Sequence, residues 1–253
     1  MPEGFVFLFL SSARIGNQSV IQENIGVNPP GASLTFGRNV TVTPQHTAAG
    51  DTVRIGASSS VYRVLTGAPA RLFKGPGVAT VIEGTTTFPL CPDGLPCPVG
   101  PFDCSGGQRL EVARNGTATE GPLQFGNATF GDLVLHNAAN LILRPGNYTF
   151  CSIFMARNSS LTILGPQQST INVVGNVRIA NGAFFGPVSG VLSPNLNIQG
   201  LGLRIGANAL VQAFIKAPNA QLSAGRSAVI KGSLCLNSAR SDKNITLLCP
   251  PLP

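Results

Sequence analysis

The sequence predicts an all-β chain folded as a single parallel β-solenoid, a β-helix of about ten coils with one Cys/Pro-rich loop insertion. Three observations predict it. One tetrad occurs four times, as Arg14-Ile15-Gly16-Asn17, Arg54-Ile55-Gly56-Ala57, Arg178-Ile179-Ala180-Asn181 and Arg204-Ile205-Gly206-Ala207. Looser apolar units anchored on Ile15, Phe36, Ile55, Phe73, Leu135, Met155, Ile179, Ile205 and Ser223 recur about every twenty residues, the length of one coil. The long step from Phe73 to Leu135 reads as about three such periods. Finally, the composition breaks helices: 30 Gly and 20 Pro are interspersed with short alternating runs of Val, Ile, Leu, Phe and Thr, and no window sustains a helical period. Gly, Ala, Asn and Ser at the bends fit, because Asn tolerates a left-handed backbone.

Residues 1–13 form the first element. Phe5, Phe7 and Phe9 point to one side of a strand and Val6, Leu8 and Leu10 to the other, so both faces need cover. A signal peptide ending at Ser11-Ser12-Ala13 is the rival reading, but the apolar run is short and Glu3 precedes it with no cation. The strand is expected to cap the first coil or to pair with another subunit, because an open solenoid end exposes backbone donors and acceptors. The solenoid proper is assigned to residues 14–248. Its first coils run to about Ile82, with bends at Pro29-Pro30-Gly31 and Ala48-Ala49-Gly50.

Residues 83–107 interrupt the pattern. They hold Pro89, Pro92, Pro96, Pro98 and Pro101 and three of the six cysteines, and proline cannot donate to a ladder. A disulfide-tied loop projecting from the coil wall is expected. From Gln108 the coils resume and end with a strand at Asn244–Leu248; residues 249–253 are a Pro-rich terminus that cannot template a further strand.

The cysteines are Cys91, Cys97, Cys104, Cys151, Cys235 and Cys249. An even number without a CxxC pair fits disulfides in an oxidising compartment, not zinc or a thioredoxin-type site. Sequence alone allows fifteen pairings; Cys235 with Cys249, closing a short C-terminal loop, is the favoured one.

The formal charge is +7, carried mostly by Arg. In the sequence the cations stand singly, with no basic run, and no Trp and two Tyr are present to stack bases, so nucleic acid is not an expected partner. Solvated Arg on outer coil faces is the plain reading; contact with an anionic glycan or cell surface is the sharper one. No transmembrane helix is expected. Ten acidic residues exist, and only Asp103, Glu111 and Glu120 near the insert offer a convergent set for a polysaccharide lyase or hydrolase. Isolated Ile15-Gly16-x-x-Ser19 and Ile55-Gly56-x-x-Ser59 units lack the unbroken hexads of acyltransferase solenoids. No catalytic, metal or cofactor site is assigned.

Over Val173–Ala183 and Leu201–Ala217, with Ala217-Pro218-Asn219-Ala220 leading into the last coils, the chain resembles secreted bacterial surface proteins with a right-handed β-solenoid. It is more distantly similar to polymer-forming solenoids of the bactofilin kind. The resemblance implies an extracellular or cell-surface role, while six cysteines and the insert depart from bactofilins. The expected function is a structural subunit that assembles with copies of itself, head to tail, through Phe5, Val6, Phe7, Leu8, Phe9 and Leu10. An adhesin binding an anionic polysaccharide through its Arg-bearing face or the Cys91–Cys104 loop is the alternative.

Overall fold

A computed structural model describes residues 6–28, 30–86 and 99–248. Apart from one 3-10 turn at Pro69–Arg71, its regular elements are strands, and every strand pairing is parallel. The strands make three flat faces of a triangular rod. Face A runs, in stacking order, through 109–112, 133–135, 153–155, 177–179, 203–205, 221–224, 238–241, 12–15, 34–36, 53–55 and 72–74. These are eleven coils, numbered 1 to 11 from the Gln108 end. Faces B and C repeat the same stack.

Local chemistry explains each coil. Within strands, alternate residues point inward, as in Asn140–Leu143, where Leu141 and Leu143 are buried between half-buried Asn140 and Ile142. At the corner between faces A and B every coil makes the same turn around one left-handed residue. Gln18, Asn39, Ser58, Asn115, Ala138, Asn158, Asn208, Ser227 and Asn244 take it with φ of 54–62°, and Gly77 and Gly182 with φ of 70° and 69°. Asn leads there because its short polar side chain lowers the cost of that region. The turns stack so tightly that a Cβ on Gly16 would lie 1.9 Å from the Asp242 carbonyl oxygen, which is why the tetrad carries a small residue after its Ile.

The coils do not stack in sequence order. Phe7–Ile15 lies between two partners: Phe7, Leu8 and Phe9 pair with Leu234, Cys235 and Leu236 on one edge and with Ile25, Gly26 and Val27 on the other. The C-terminal segment thus supplies faces A and B of coil 7, and the N-terminal strand supplies its face C. From there the chain winds outward to Thr85 in coil 11 and resumes at Gln108 in coil 1, at the opposite end. The return crosses ten coil spacings, about 48 Å, within the reach of residues 86–107 at about 3.3 Å each. Its described part descends the corner between faces C and A. Gly100 accepts a hydrogen bond from Gln199 Nε2 at 2.6 Å, Cys104 is disulfide-bonded to Cys151, and a Cβ on Gly107 would touch Phe130.

Several expectations change accordingly. The strand 6–10 neither caps an end nor offers an edge to another subunit, because both of its edges are taken within the chain; Phe7, Leu8 and Phe9 are buried, so the cover that the two-sided pattern demands is in place. Phe5 lies outside the described residues. Glu83–Thr85 still belongs to coil 11, and the described part of the insert lies along the wall. The step from Phe73 to Leu135 holds no three coils; it holds the close of coil 11, the return and coil 1. Two anchors are one residue out of register, since Ile55 stacks on Lys74 and Ile205 on Ala224. Cys235 is disulfide-bonded, and its expected partner Cys249 lies outside the described residues. Among the described residues no helix is long and apolar enough to cross a membrane.

Candidate functional site

Because each coil repeats the same register, residues some twenty positions apart in sequence become neighbours in a column. On face A the outward residue one place before the buried Ile of the tetrad forms such a column. From coil 3 to coil 11 it reads Phe154, Arg178, Arg204, Ser223, Arg240, Arg14, Thr35, Arg54, Phe73. The five arginines are exposed. Two pairs, Arg178 with Arg204 and Arg240 with Arg14, are direct in-register neighbours on adjacent strands, about 4.8 Å apart at the backbone. Like charges placed so are unfavourable.

Two aromatic rings close the column. The Arg178 guanidinium stands 5.4 Å from the centroid of Phe154, and Arg54 4.3 Å from that of Phe73. At the two coils where the column lacks an arginine, the adjacent turn supplies one: Arg226 follows Ser223, and Arg38 follows Thr35. Lys243 adds a further cation at coil 7. Every coil from 4 to 10 therefore carries at least one cation along this edge, over about 29 Å. Asp242 is the only carboxylate on these coils' share of the edge, and none of Arg14, Arg204 and Arg240 forms an ion pair among the described residues.

Beside the arginines runs a neutral column of Gly202, Gln221, Ser238 and Ser12, with Ser33 and Thr52 above. Between the two columns lies an open cleft of about 310 Å³ lined by Ser12, Arg14, Ser33, Gln221, Ser238 and Arg240. A second, of about 420 Å³, holds Arg204, Ser223, Arg226 and Asp242. Guanidinium forks flanked by hydroxyls and amides form a donor-rich surface suited to carboxylate, sulfate or phosphate oxygens.

Face C of coils 1 to 4 carries the opposite chemistry. Its outward columns read Asn127, Asn147, Thr170, Asn195 and Thr129, Thr149, Asn172, Asn197. No charge interrupts them. The amides are tied along the stack, Asn147 Nδ2 donating to Asn127 Oδ1 at 3.0 Å and Asn197 Nδ2 to Asn172 Oδ1 at 2.9 Å. Beneath them Tyr148 and Phe150 stack in the core with half-buried Phe130 against them, and burial raises the Tyr148 phenol to about 12 while its hydroxyl donates to the Arg144 carbonyl.

The three carboxylates considered for hydrolysis do not gather. Glu111 lies on face A of coil 1, paired with Arg109 at 3.1 Å and His136 Nε2 at 2.5 Å; the His136 bond draws its carboxyl below the usual range. Glu120 lies on face B, in register with buried Leu143. Asp103 accepts the Ser105 backbone N–H and hydroxyl, which lower its carboxyl likewise. No cluster of three metal-ligating side chains occurs among the described residues. The arginine column was missed in the sequence because its members stand far apart there. The signal was present, since Arg opens all four tetrads.

The molecule is, by its fold, a disulfide-bonded β-solenoid rod. No protein-family model matches the chain, and no curated protein matches it. Among solved structures it is similar to an ice binding protein from an Antarctic bacterium, Flavobacteriaceae, at 11% identity and a TM-score of 0.39, over 97% of this chain and 80% of that one. It is also similar to the competence-associated pilin ComZ from Thermus thermophilus, at 14% identity and a TM-score of 0.40, over 99% of this chain and 70% of that one. Both likenesses are too distant to carry a functional argument.

Proposed function

We propose that the chain is a non-enzymatic binding rod whose face A holds a linear anionic polymer, an acidic polysaccharide of a cell surface or matrix, along its length. One observation carries this: seven consecutive coils each present an unneutralised cation on one edge, with like charges left adjacent at a cost to the free protein. A single small anion would need one or two arginines. A site about 29 Å long fits a polymer lying parallel to the rod. Nucleic acid is disfavoured, since the only rings in the column already sit against Arg54 and Arg178 and leave no free platform for bases. Disulfide-bonded Cys104, Cys151 and Cys235 suit an oxidising, extracellular setting.

The test is titration of the full chain with a uronate-rich polysaccharide, a neutral glucan and single-stranded DNA at several salt concentrations. Tight binding of the uronate polymer alone, weakening steeply with salt, is expected. Equal affinity for the neutral glucan, or preference for DNA, overturns the reading.

The Asn/Thr array of face C favours a second reading. Eight uncharged hydroxyls and amides repeat about 4.8 Å along the rod and about 6.7 Å across it, a fixed lattice that can order a matching layer of water and so meet ice. Ice-recrystallisation inhibition lost on Thr149→Lys would support it; none in the native chain removes it. Head-to-tail polymerisation is the reading the geometry favours least, because the first and last described strands are built into coil 7 and coil 11 ends in charge.

A further inference from the structure

The two ends of the rod are finished differently. In coil 11 the core columns of Ile55, Val61 and Val64 are continued by Lys74, Thr80 and Glu83. Lys74 Nζ bonds Glu83 Oε1 at 2.6 Å, Thr80 donates to the same oxygen, and these bonds lower the Glu83 carboxyl. Inward-pointing charge of this kind seals an edge against stacking. In coil 1 the core columns end mostly in apolar side chains: Val112 is buried, Leu110, Ala118, Ala128 and Phe130 are half-buried, and half-buried Glu120, in register with buried Leu143, is the one charge among these positions. Leu123 and Phe125, on the bend between faces B and C of that coil, are 88% and 45% exposed. Among the described residues, Gln108–Val112 and Thr117–Glu120 pair only with coil 2, so their other edges present unpaired backbone groups.

We infer that the coil-1 end docks against the same end of a second copy of this chain, giving a closed end-to-end dimer. The occupant follows from the edge itself. Gln108–Val112 is centred on Leu110, with Arg109 and Glu111 on either side, both outward. Antiparallel pairing about a twofold axis through Leu110 sets Arg109 of each chain opposite Glu111 of the other and joins the two largely apolar core ends. Head-to-tail stacking in the rod's own register would instead lay Lys74 over Val112 and Glu83 over Ala128, burying both charges of that pair against apolar side chains. An isologous contact closes at two chains, so no filament grows. The same axis leaves both A faces on one side, so a polymer long enough to reach both arginine columns gains by avidity; only this consequence rests on the proposed polysaccharide reading.

Sedimentation equilibrium of the full chain at micromolar concentration, without polysaccharide, tests the dimer independently of ligand. A mass of about twice 26.1 kDa is expected. Arg109→Glu sets four carboxylates at the seam and should weaken dimerisation at least about tenfold. Adding Glu111→Arg should restore it, which a merely structural role for Arg109 would not do. Leu123→Asp with Phe125→Asp should yield monomer whose circular dichroism is unchanged, whereas Lys74→Ala with Glu83→Ala should leave the dimer intact. A native chain monomeric at about 100 µM, far above the dissociation constants of specific dimers, overturns the inference. So do open-ended polymers, or an Arg109→Glu chain that the reverse charge fails to rescue.

Discussion

Faces A and C are built on one backbone, with the same coil rise and the same alternation, yet one gathers cations and the other excludes every charge over four coils. The difference lies only in which residue type fills the outward place of each coil. Arg before the buried Ile yields Arg178, Arg204, Arg240, Arg14 and Arg54 in one line; Asn or Thr beside inward Tyr148, Ile171 and Leu196 yields a neutral lattice. A solenoid thus turns a preference of one residue per twenty into a continuous surface. It also amplifies repulsion, because each added arginine meets its neighbour.

The largest effect that separates the two faces is on polymer binding. Replacing Arg14, Arg54, Arg204 and Arg240 together by Ser should cost about 1 kcal/mol each, the order an arginine gains at an anionic surface, and so about a thousandfold in affinity. Asn147→Ala with Asn197→Ala on face C should leave that affinity unchanged. Calorimetric titration with the uronate polymer measures both, and equal losses would erase the distinction.

The next effect is on what holds the faces in register. Cys104–Cys151 closes a loop of 47 residues and ties the returning chain beside coils 2 and 3, worth about 4 kcal/mol in a chain-entropy account. Cys104→Ser with Cys151→Ser should lower urea stability by about 2–4 kcal/mol. Hydrogen exchange should quicken first in coils 1 to 3, beneath the Asn/Thr array, with face A of coils 7 to 10 protected.

A third probe exploits the buried phenol under face C. Tyr148 has a folded pKa raised to about 12, above the ordinary value near 10. As pH rises from about 10 to 12 the unfolded chain loses this proton while the folded chain keeps it. Stability is therefore intact below about 10 and falls by roughly 2–3 kcal/mol by pH 12. Tyr148→Phe should flatten that decline, read as the midpoint of urea unfolding against pH. An unchanged slope would place the loss elsewhere.

How much of this was legible in the sequence depends on the range of the interaction. The coil length, the alternation and the liking of bends for Asn are local, and the tetrads carry them. Coil order is not local. Phe7–Phe9 fits Leu234–Leu236 as well as Ile25–Val27, because every coil presents the same apolar columns, and nothing near residue 7 records which neighbour it meets. The anchors at Phe73 and Ser223 fall on outward positions because the core positions beside them hold no large apolar residue: Lys74 and Ala224 stand there, and at Phe73 the outward ring beside Arg54 imitates a core residue. The binding edge was hidden for the same reason as the coil order. Arg14 and Arg240 are 226 positions apart and become neighbours only once the two ends of the chain meet in coil 7.

That junction gives the finest test. At coils 7 and 8 Arg240 and Arg14 stand in register, neither ion-paired among the described residues, a placement that should cost the free rod about 0.2–1 kcal/mol. Arg240→Ser removes the repulsion and little else, since the side chain is exposed on an open cleft and forms no ion pair among the described residues. The variant should melt slightly higher than the native chain in low salt, and the gain should vanish as salt screens the pair. It should at the same time bind the uronate polymer several-fold more weakly. Opposite signs in the two measurements identify a residue kept for its ligand at the expense of the fold. Asn172→Ser on face C, which breaks a bond with Asn197, should instead lose a little stability and no affinity. If Arg240→Ser lowers stability as well, the arginine column is a structural feature of the rod and the contrast between the two faces is one of packing, not of binding.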